Sequence, residues 1–304
     1  MSRPLPVIRN RGAYESAATS WRTEDWTAVS YGPNAALDDL EYSRARAQDA
    51  TRNNPWLAHG LRLLVSHLIG CGIQPRPKLA DTGLRADLLQ LWADWGAEAD
   101  ADGVSDFAGL QFLAARAARE SGEVFARLRP RRPEDGLTVP LQIQLIEGAL
   151  CPVGYNGSNG ANTIRQGIER NPIGQRTAYW LYRQHPGEYA FAAQAKDRVA
   201  VPAAFVLHHF IPERPGQLRG APQHLSALLR ARKLDLFESA ELTRKQNRAK
   251  FNGAITRLDP NGPNPLTDAA PVTDELHRSL VDIEEGYMLQ LAPGESVNLY
   301  DGDS

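Results

Sequence analysis

The sequence has few of the features that mark secreted or membrane proteins. Its 304 residues contain two cysteines, Cys71 and Cys151, too few for a disulfide framework, so we expect a reducing compartment. The longest apolar-looking stretch, 61–69, is interrupted by Arg62 and His67 and is far shorter than the about 20 apolar residues of a membrane-spanning helix. The first residues contain no apolar run that could serve as a signal peptide. We therefore expect an intracellular protein without a membrane partner.

The charge balance excludes a protein that coats nucleic acid. There are 34 Lys and Arg residues against 36 Asp and Glu residues, a formal net charge of −2. Broad binding to phosphates needs a large excess of basic residues, so any contact with nucleic acid must be local. With 42% hydrophobic residues the chain can form a core, and its length suggests about two domains.

Four helices are predicted after residues 1–34, which show no sustained period and are interpreted as a flexible N-terminal arm. These helices begin at Leu37 (capped by Asn34), at Pro55 (after Asn53 and Asn54), at Leu84 and at Phe107, and Gly70 and Gly122 end the second and the fourth. The expected buried faces are Trp56, Leu57, Gly60, Leu61, Leu64, Val65 and Leu68 on the second helix, and Leu88, Leu91, Trp92 and Trp95 on the third.

Strand periodicity follows the fourth helix. Strands are predicted at 123–129, 141–146, 164–169, 177–182 and 205–210, and an exposed loop at 154–162. A long helix is predicted over 222–252 and ended by Asn252-Gly253, with Leu225, Leu228, Leu229, Leu236, Phe237 and Ala240 on its apolar side. A Pro/Asn/Gly loop at 259–265, a short helix near 273–282 and β-like segments at 287–291 and 297–300 complete the chain, so the expected fold class is α+β.

No catalytic, cofactor-binding or metal-binding residues are predicted. His208 and His209 are adjacent on a strand, so their side chains point to opposite faces and cannot share one ion. Both cysteines are interpreted as small buried hydrophobes, and Asp100, Asp102 and Asp106 as a helix-capping loop. Tyr179, Trp180 and Tyr182 are assigned to core packing rather than to base stacking. The alternatives left open are a metal- or His-dependent hydrolase, using His208 with sheet carboxylates, and a monomeric interaction module.

Four collinear blocks over residues 40–295 resemble the portal (head-to-tail connector) proteins of tailed bacteriophages, lambda-type family. They begin with Arg44-x-Arg46 through Asn53-Asn54-Pro55-Trp56 to Gly70-x-Gly72-Ile73-Gln74-Pro75, and continue with Trp92-x2-Trp95 and Phe107 to Ser121-Gly122-Glu123. Leu141-Gln142, Ile146-Glu147, Ile164-x2-Gly167-Ile168-Glu169 and Ala178-Tyr179-Trp180 form the third block. The most specific block is His208-x-Phe210-x3-Arg214-Pro215-Gly216-Gln217-x-Arg219-Gly220-Ala221-Pro222.

This resemblance implies a structural, non-enzymatic subunit of a homo-oligomeric ring, typically a dodecamer, at one capsid vertex. Double-stranded DNA would pass through the ring without sequence-specific binding during packaging and ejection. The implied partners are the terminase large subunit, head–tail adaptor proteins and the capsid protein. The implied location is the virion, and the host cytoplasm during assembly.

The resemblance also implies an architecture. Residues 35–221 would form a wing domain with helices and a small mixed sheet, 222–252 the first stem helix, and 253–304 a small α/β clip. Family members continue with a second stem helix, so we expect a C-terminally truncated chain that cannot build a complete channel alone.

Two sets of site residues follow from this mapping. The first is a basic cluster on the predicted stem helix, which would pair with acidic side chains of its own or a neighbouring helix, face DNA in the channel, or simply remain solvated: Arg244, Lys245, Arg248 and Lys250. The second is the family-motif loop, which includes Arg214, Pro215, Gly216, Gln217, Arg219 and Gly220.

Overall fold

The protein divides into two compact units, 1–228 and 229–304. The computed structural model describes residues 24–25, 29–188, 197–256, 272–273, 279–283 and 286–291, with side chains up to residue 248. Helices and sheets in these residues confirm the α+β class. Within the described ranges, no helix is both long enough and apolar enough to cross a bilayer.

Four α-helices form the first part of the chain: α1 (Leu40–Asn53), α2 (Pro55–Ile69), α3 (Thr82–Glu98) and α4 (Phe107–Ser121). The starts of α2, α3 and α4 follow from side chains that accept hydrogen bonds from otherwise unpaired backbone N–H groups. Asn54 accepts from Leu57 N, Asp81 from Gly83 N and Asp106 from Gly109 N. These caps confirm the predicted start of α2 and the capping role of Asp106.

The helices bury narrower faces than the sequence predicts. On α2, Leu61 and Val65 pack with Ala115 of α4, but Trp56, Leu64 and Leu68 are exposed. The wider face predicted for α2 is therefore wrong, because α1 and α4 cover only part of it. The prediction for α3 is wrong in the same way, since Trp95 is buried while Leu88 and Leu91 are exposed. The prediction that Cys71 is buried is also wrong, because its side chain follows the turn at Gly70 into solvent.

A three-stranded antiparallel sheet follows, in the order β2-β1-β8, with β1 (Glu123–Pro130), β2 (Leu141–Glu147) and β8 (Val206–Phe210). The predicted first two strands are confirmed within one residue. In the register, Phe125 lies opposite Ile146 on one side and His208 on the other. The sheet thus pairs β1 with β8, a strand that lies about 80 residues later in the sequence.

A second, five-stranded antiparallel sheet runs in sequence order: β3 (Gly157–Asn159), β4 (Asn162–Arg165), β5 (Ile168–Arg170), β6 (Arg176–Tyr182) and β7 (Arg198–Pro202). The single strand predicted at 164–169 is wrong, because Gln166 and Gly167 both have positive φ and form a two-residue hairpin turn. The exposed segment 154–162 is not only a loop, since it contains β3. No sequence pattern predicted β7.

The main core of the first unit contains residues of both sheets. Its buried members are Phe125, Ile146, Cys151, Ile168, Tyr179, Leu181, Val201, Val206 and Leu218. Tyr179 is 3% exposed, which confirms its assignment to core packing. The Trp180 indole N–H donates to Glu169 Oε2, so this ring too has an internal partner.

A long helix, α5 (Leu225–Lys250), confirms the predicted helix with slightly shorter bounds. It continues directly into β9 (Phe251–Thr256), so Asn252-Gly253 lies within a strand. The second unit contains a four-stranded sheet in the order β10-β11-β12-β9, with β10 (Val272–Thr273), β11 (Ser279–Ile283) and β12 (Gly286–Leu291). The short helix predicted near 273–282 is wrong, because 279–283 pairs with β12 as a strand. The 259–265 loop and the 297–300 segment lie outside the described residues.

Two glycines allow the end of α4 to touch the chain that leads into α5. Gly122 has φ 89°, and a Cβ added there would lie 2.6 Å from both Gly220 O and Pro222 N. A Cβ on Gly220 would lie 2.6 Å from the Phe210 Cβ. Side chains at these two positions would therefore force the two backbone segments apart.

The close approach predicts a large difference between two glycine substitutions. Gly136 has φ 72° but nothing within 4 Å of an added Cβ, so Gly136→Ala should cost about 1–2 kcal/mol of unfolding free energy for its conformation alone. Gly122→Ala adds a backbone clash and should cost about 1–3 kcal/mol more. Urea unfolding of both variants measures the difference, and equal losses would contradict the packing argument.

Candidate functional site

The carboxylate of Glu123 is at the centre of a buried charge network. Glu123 begins β1 directly after Gly122 ends α4, which directs its fully buried side chain into the first unit. Arg44 of α1 donates from Nη2 to Glu123 Oε1 at 2.7 Å and from Nε to Ser121 O at 3.1 Å. This contact joins α1 to the junction of α4 and β1.

Arg219 provides the second guanidinium of the network. Its Nε lies 2.9 Å from Glu123 Oε1 and 3.0 Å from Oε2, and its Nη2 also donates to Oε1. The remaining donors bind backbone carbonyls, with Nη1 2.7 Å from Gln166 O and Nη2 3.0 Å from Gly148 O. The Gly220 N–H adds a bond of 2.9 Å to Glu123 Oε2. One side chain thus connects the loop before α5 with both sheets.

His208 completes the coordination of the carboxylate. Its Nε2 lies 3.0 Å from Glu123 Oε2, while its Nδ1 lies 2.7 Å from Nη1 of Arg176. A guanidinium only donates, so Nδ1 accepts and Nε2 carries the proton. The ring stacks on Phe125 with centroids 4.3 Å apart. His208 is therefore a neutral imidazole that links Arg176 to Glu123.

The electrostatics of the network agree with these protonation states. Burial alone would raise the pKa of Glu123, but Arg219, the hydrogen bond with His208 and Arg44 together lower that pKa well below its usual range. Burial lowers the pKa of His208 and outweighs the attraction of Glu123. Burial also raises the pKa of the nearby Cys151 thiol to about 11, so this thiol stays protonated at neutral pH.

The family-motif loop is held by its own polar groups. Gln217 Oε1 accepts from the N–H groups of Glu213 and Arg214 at 2.8 and 3.2 Å, and its Nε2 donates to Arg219 O at 2.8 Å. Gly216 has φ 79° and provides the left-handed turn after Pro215. These bonds fix the loop so that Arg219 and Gly220 point at Glu123.

The start of the described chain also binds this loop. Asn34 donates from Nδ2 to Gly216 O at 3.0 Å and accepts at Oδ1 from Leu218 N at 2.8 Å. The prediction that Asn34 caps a helix is therefore wrong: a short 3₁₀ turn, Ala35–Leu37, precedes α1, and the side chain binds the loop instead. Arg214 Nη1 donates to Tyr31 O at 2.7 Å.

The network is arranged for structure rather than for catalysis. Both carboxylate oxygens of Glu123 accept several bonds, and both nitrogens of His208 are engaged, so neither group can take a proton from a substrate in this arrangement. Among the described side chains, no group of three His, Cys, Asp or Glu is placed to hold a metal ion.

Three members of the basic cluster of α5, Arg244, Lys245 and Arg248, are exposed to solvent. Arg244 Nη2 donates to Glu241 Oε2 at 3.0 Å, three residues earlier on the same helix. Arg248 also takes part in an interaction. The side chain of Lys250 is not among those that the structure describes. The cluster's role in the assembly stays a prediction.

Sequence reasoning missed the residues that matter most in the network. Arg44 and Glu123 were named only as members of the blocks that resemble the portal family. Gln166 was not predicted to be buried, although its side chain is. A usable signal was present, because a Glu that begins an apolar strand directly after a glycine needs a buried partner. Nothing in the local sequence indicated that the partners are 79 and 96 residues away.

Comparison with known proteins now assigns the family. The profile described as "Phage portal protein, lambda family" matches residues 19–304 of this chain. The chain belongs to this family. The "Probable portal protein" of Halomonas phage phiHAP-1 is 27% identical over 274 residues, which cover 84% of this chain and 52% of that protein. The portal-family chain thus spans about half the length of that curated relative. The resemblance predicted from the four sequence blocks is confirmed.

Removing the central charge tests the network of this portal-family chain. Glu123→Gln leaves Arg44 and Arg219 buried without a counter-charge, so we expect the unfolding free energy to fall by about 3–5 kcal/mol. Glu213→Gln makes the same change on an exposed residue and should stay within about 0.5 kcal/mol. Chemical denaturation followed by tryptophan fluorescence measures both, and similar losses for the two variants would sink the argument.

The pH dependence of stability tests the neutral histidine. Because folding lowers the pKa of His208, the unfolded chain binds its proton first as pH falls below about 6.5, and the folded state loses stability. His208→Gln keeps a donor and an acceptor but cannot titrate. We expect its unfolding free energy to change less between about pH 7 and 5 than that of the wild type. His59→Gln, on the exposed side of α2, serves as the control and should retain the wild-type slope.

Proposed function

We propose that the chain is a structural subunit of a ring at one capsid vertex, through which double-stranded DNA is packaged and later ejected. The family match over residues 19–304 carries this proposal. In that ring the terminase large subunit, head–tail adaptors and the capsid protein are the partners, and the chain acts through its surfaces without turnover. The saturated contacts of Glu123 and His208 support a structural role.

The proposed parts of the subunit are a wing at 35–221, a first stem helix at 222–252 and a clip at 253–304. The exposed apolar side chains of α5 support a stem that packs on neighbours. Leu229 is 74% exposed, Phe237 62% and Leu236 59%, which is far more apolar surface than a solvated helix normally presents. The Glu123 network supports the wing as the rigid part, because it fixes the segment that leads into α5.

Complementation tests the proposed function directly. In a phage genome that carries the gene, we expect its deletion to abolish DNase-protected DNA in capsids, and expression in trans to restore it. Electron microscopy of the same lysates should find the chain in a ring at a single capsid vertex. Normal packaging in the deletion strain would overturn the proposal.

The basic cluster of α5 gives a sharper prediction. Arg244→Glu with Arg248→Glu should reduce packaged DNA, since both reversals oppose an acidic neighbour or DNA phosphates. Arg230→Glu with Arg232→Glu reverses the same charge outside the cluster on the same helix, and we expect a smaller effect. Packaging is measured as DNase-protected DNA, and ring formation by electron microscopy.

The two readouts separate the interpretations of the cluster. Rings without packaging would indicate contact with DNA, whereas loss of rings would indicate pairing between subunits. Unchanged packaging and unchanged rings would show that the cluster is only a solvated face of the helix.

A further inference from the structure

A row of three arginines lies on one face of the three-stranded sheet. Arg127 and Arg129 alternate with apolar residues along β1, and Arg131 continues the alternation one residue beyond the strand. Side chains two residues apart on a strand share a face and are separated by about 6.8 Å. All three side chains are half-buried, with part of each surface open to solvent. We call Arg127, Arg129 and Arg131 the arginine row.

Two glutamines of β2 orient Arg129 and Arg131, the second and third members of the arginine row. Arg129 Nη1 donates to Gln144 Oε1 at 3.0 Å, and Arg131 Nε donates to Gln142 Oε1 at 2.8 Å. Both bonds run diagonally across the strands, because the register places Gln144 opposite Arg127 and Gln142 opposite Arg129. The guanidinium groups of Arg129 and Arg131 are therefore held in place by neutral partners that leave their positive charge uncompensated.

The charge of the row has no counter-charge in the described chain. No ion pair within the described residues includes Arg127, Arg129 or Arg131. The Glu98 carboxylate, which lies near the start of β2, accepts from Thr138 N instead. Burial and the neighbouring Arg129 lower the pKa of Arg127, a sign that the row repels itself. An anionic partner would relieve this repulsion.

We propose that the arginine row binds the phosphate backbone of DNA, without reading its sequence. Guanidinium groups spaced by about 6.8 Å are far enough apart to contact separate phosphates. Arginine is a common donor to DNA phosphates. The apolar residues paired along this face, Phe125, Ile146 and Val206, are buried in the core and cannot serve as the exposed anchors that a protein interface needs at its centre. This chemistry favours DNA over an acidic peptide.

The contact is separate from the basic cluster of α5 and does not depend on ring formation. The proposed contact is local, in agreement with the net charge of −2, which excludes broad binding to phosphates. Three phosphates give a weak, salt-sensitive hold, which can guide a moving polymer without arresting it. Binding by the chain in solution can be measured whether or not the proposed ring forms.

Fluorescence anisotropy with a labelled DNA duplex of about 20 base pairs tests the proposal, at salt concentrations of about 25–150 mM. Each lost phosphate contact should reduce the slope of log K against log salt by about 0.9. The triple variant Arg127→Gln, Arg129→Gln, Arg131→Gln should therefore have a slope lower by about 2.7 and an affinity at least about tenfold weaker at the lowest salt. Arg131→Gln alone should lower the slope by about 0.9. Because Arg131 lies one residue beyond β1, we expect this substitution to leave the fold of the sheet intact.

The matched control removes the same charge elsewhere. Arg46→Gln, Arg62→Gln and Arg76→Gln change three exposed arginines in other parts of the first unit, and we expect nearly wild-type DNA binding. Equal losses in the two triple variants would reduce the effect to net charge and overturn the proposal. Failure of the wild-type chain to bind the duplex at the lowest salt would also overturn the proposal. The same holds if the triple variant loses binding to polyglutamate but keeps its binding to DNA.

Discussion

The carboxylate of Glu123 lies where α1, α4, β1, β8 and the 214–220 loop meet, and it is shielded from water on all sides. A lone carboxylate would be very costly there, and its presence obliges Arg44, Arg219 and His208 to reach it. The pairing is specific because few arrangements of the chain satisfy so many donors at once. These bonds join α1, the junction of α4 and β1, β8 and the 214–220 loop at one point of the first unit.

The same network determines the geometry of the segment that precedes α5. Arg219 and Gly220 bind Glu123, and the absence of side chains at Gly122 and Gly220 lets the two backbones touch. The segment that precedes α5 is therefore held by a dehydrated anchor rather than by a solvated loop.

Charge is used in opposite ways in the interior and at the surface. Inside, Glu123 has more donors than a carboxylate needs, so it is chemically inert. At the surface, the arginine row has neutral partners only, and α5 presents leucines to solvent. Surfaces left incomplete in this way are typical of chains that function in an assembly, where a neighbour or a polymer supplies the missing contacts.

By itself the sequence determined the local elements and the family. Helix starts at Pro55 and Phe107, the strands after Gly122 and the length of α5 followed from periodicity, caps and glycines, which act over a few residues. Only the tertiary structure decided that Asn34 binds a loop, that 279–283 is a strand, and which leucines are covered. It alone brought Arg44 and Arg219 to Glu123, because contacts between residues 79 and 96 positions apart depend on how the elements pack. Local patterns contain no information about that packing.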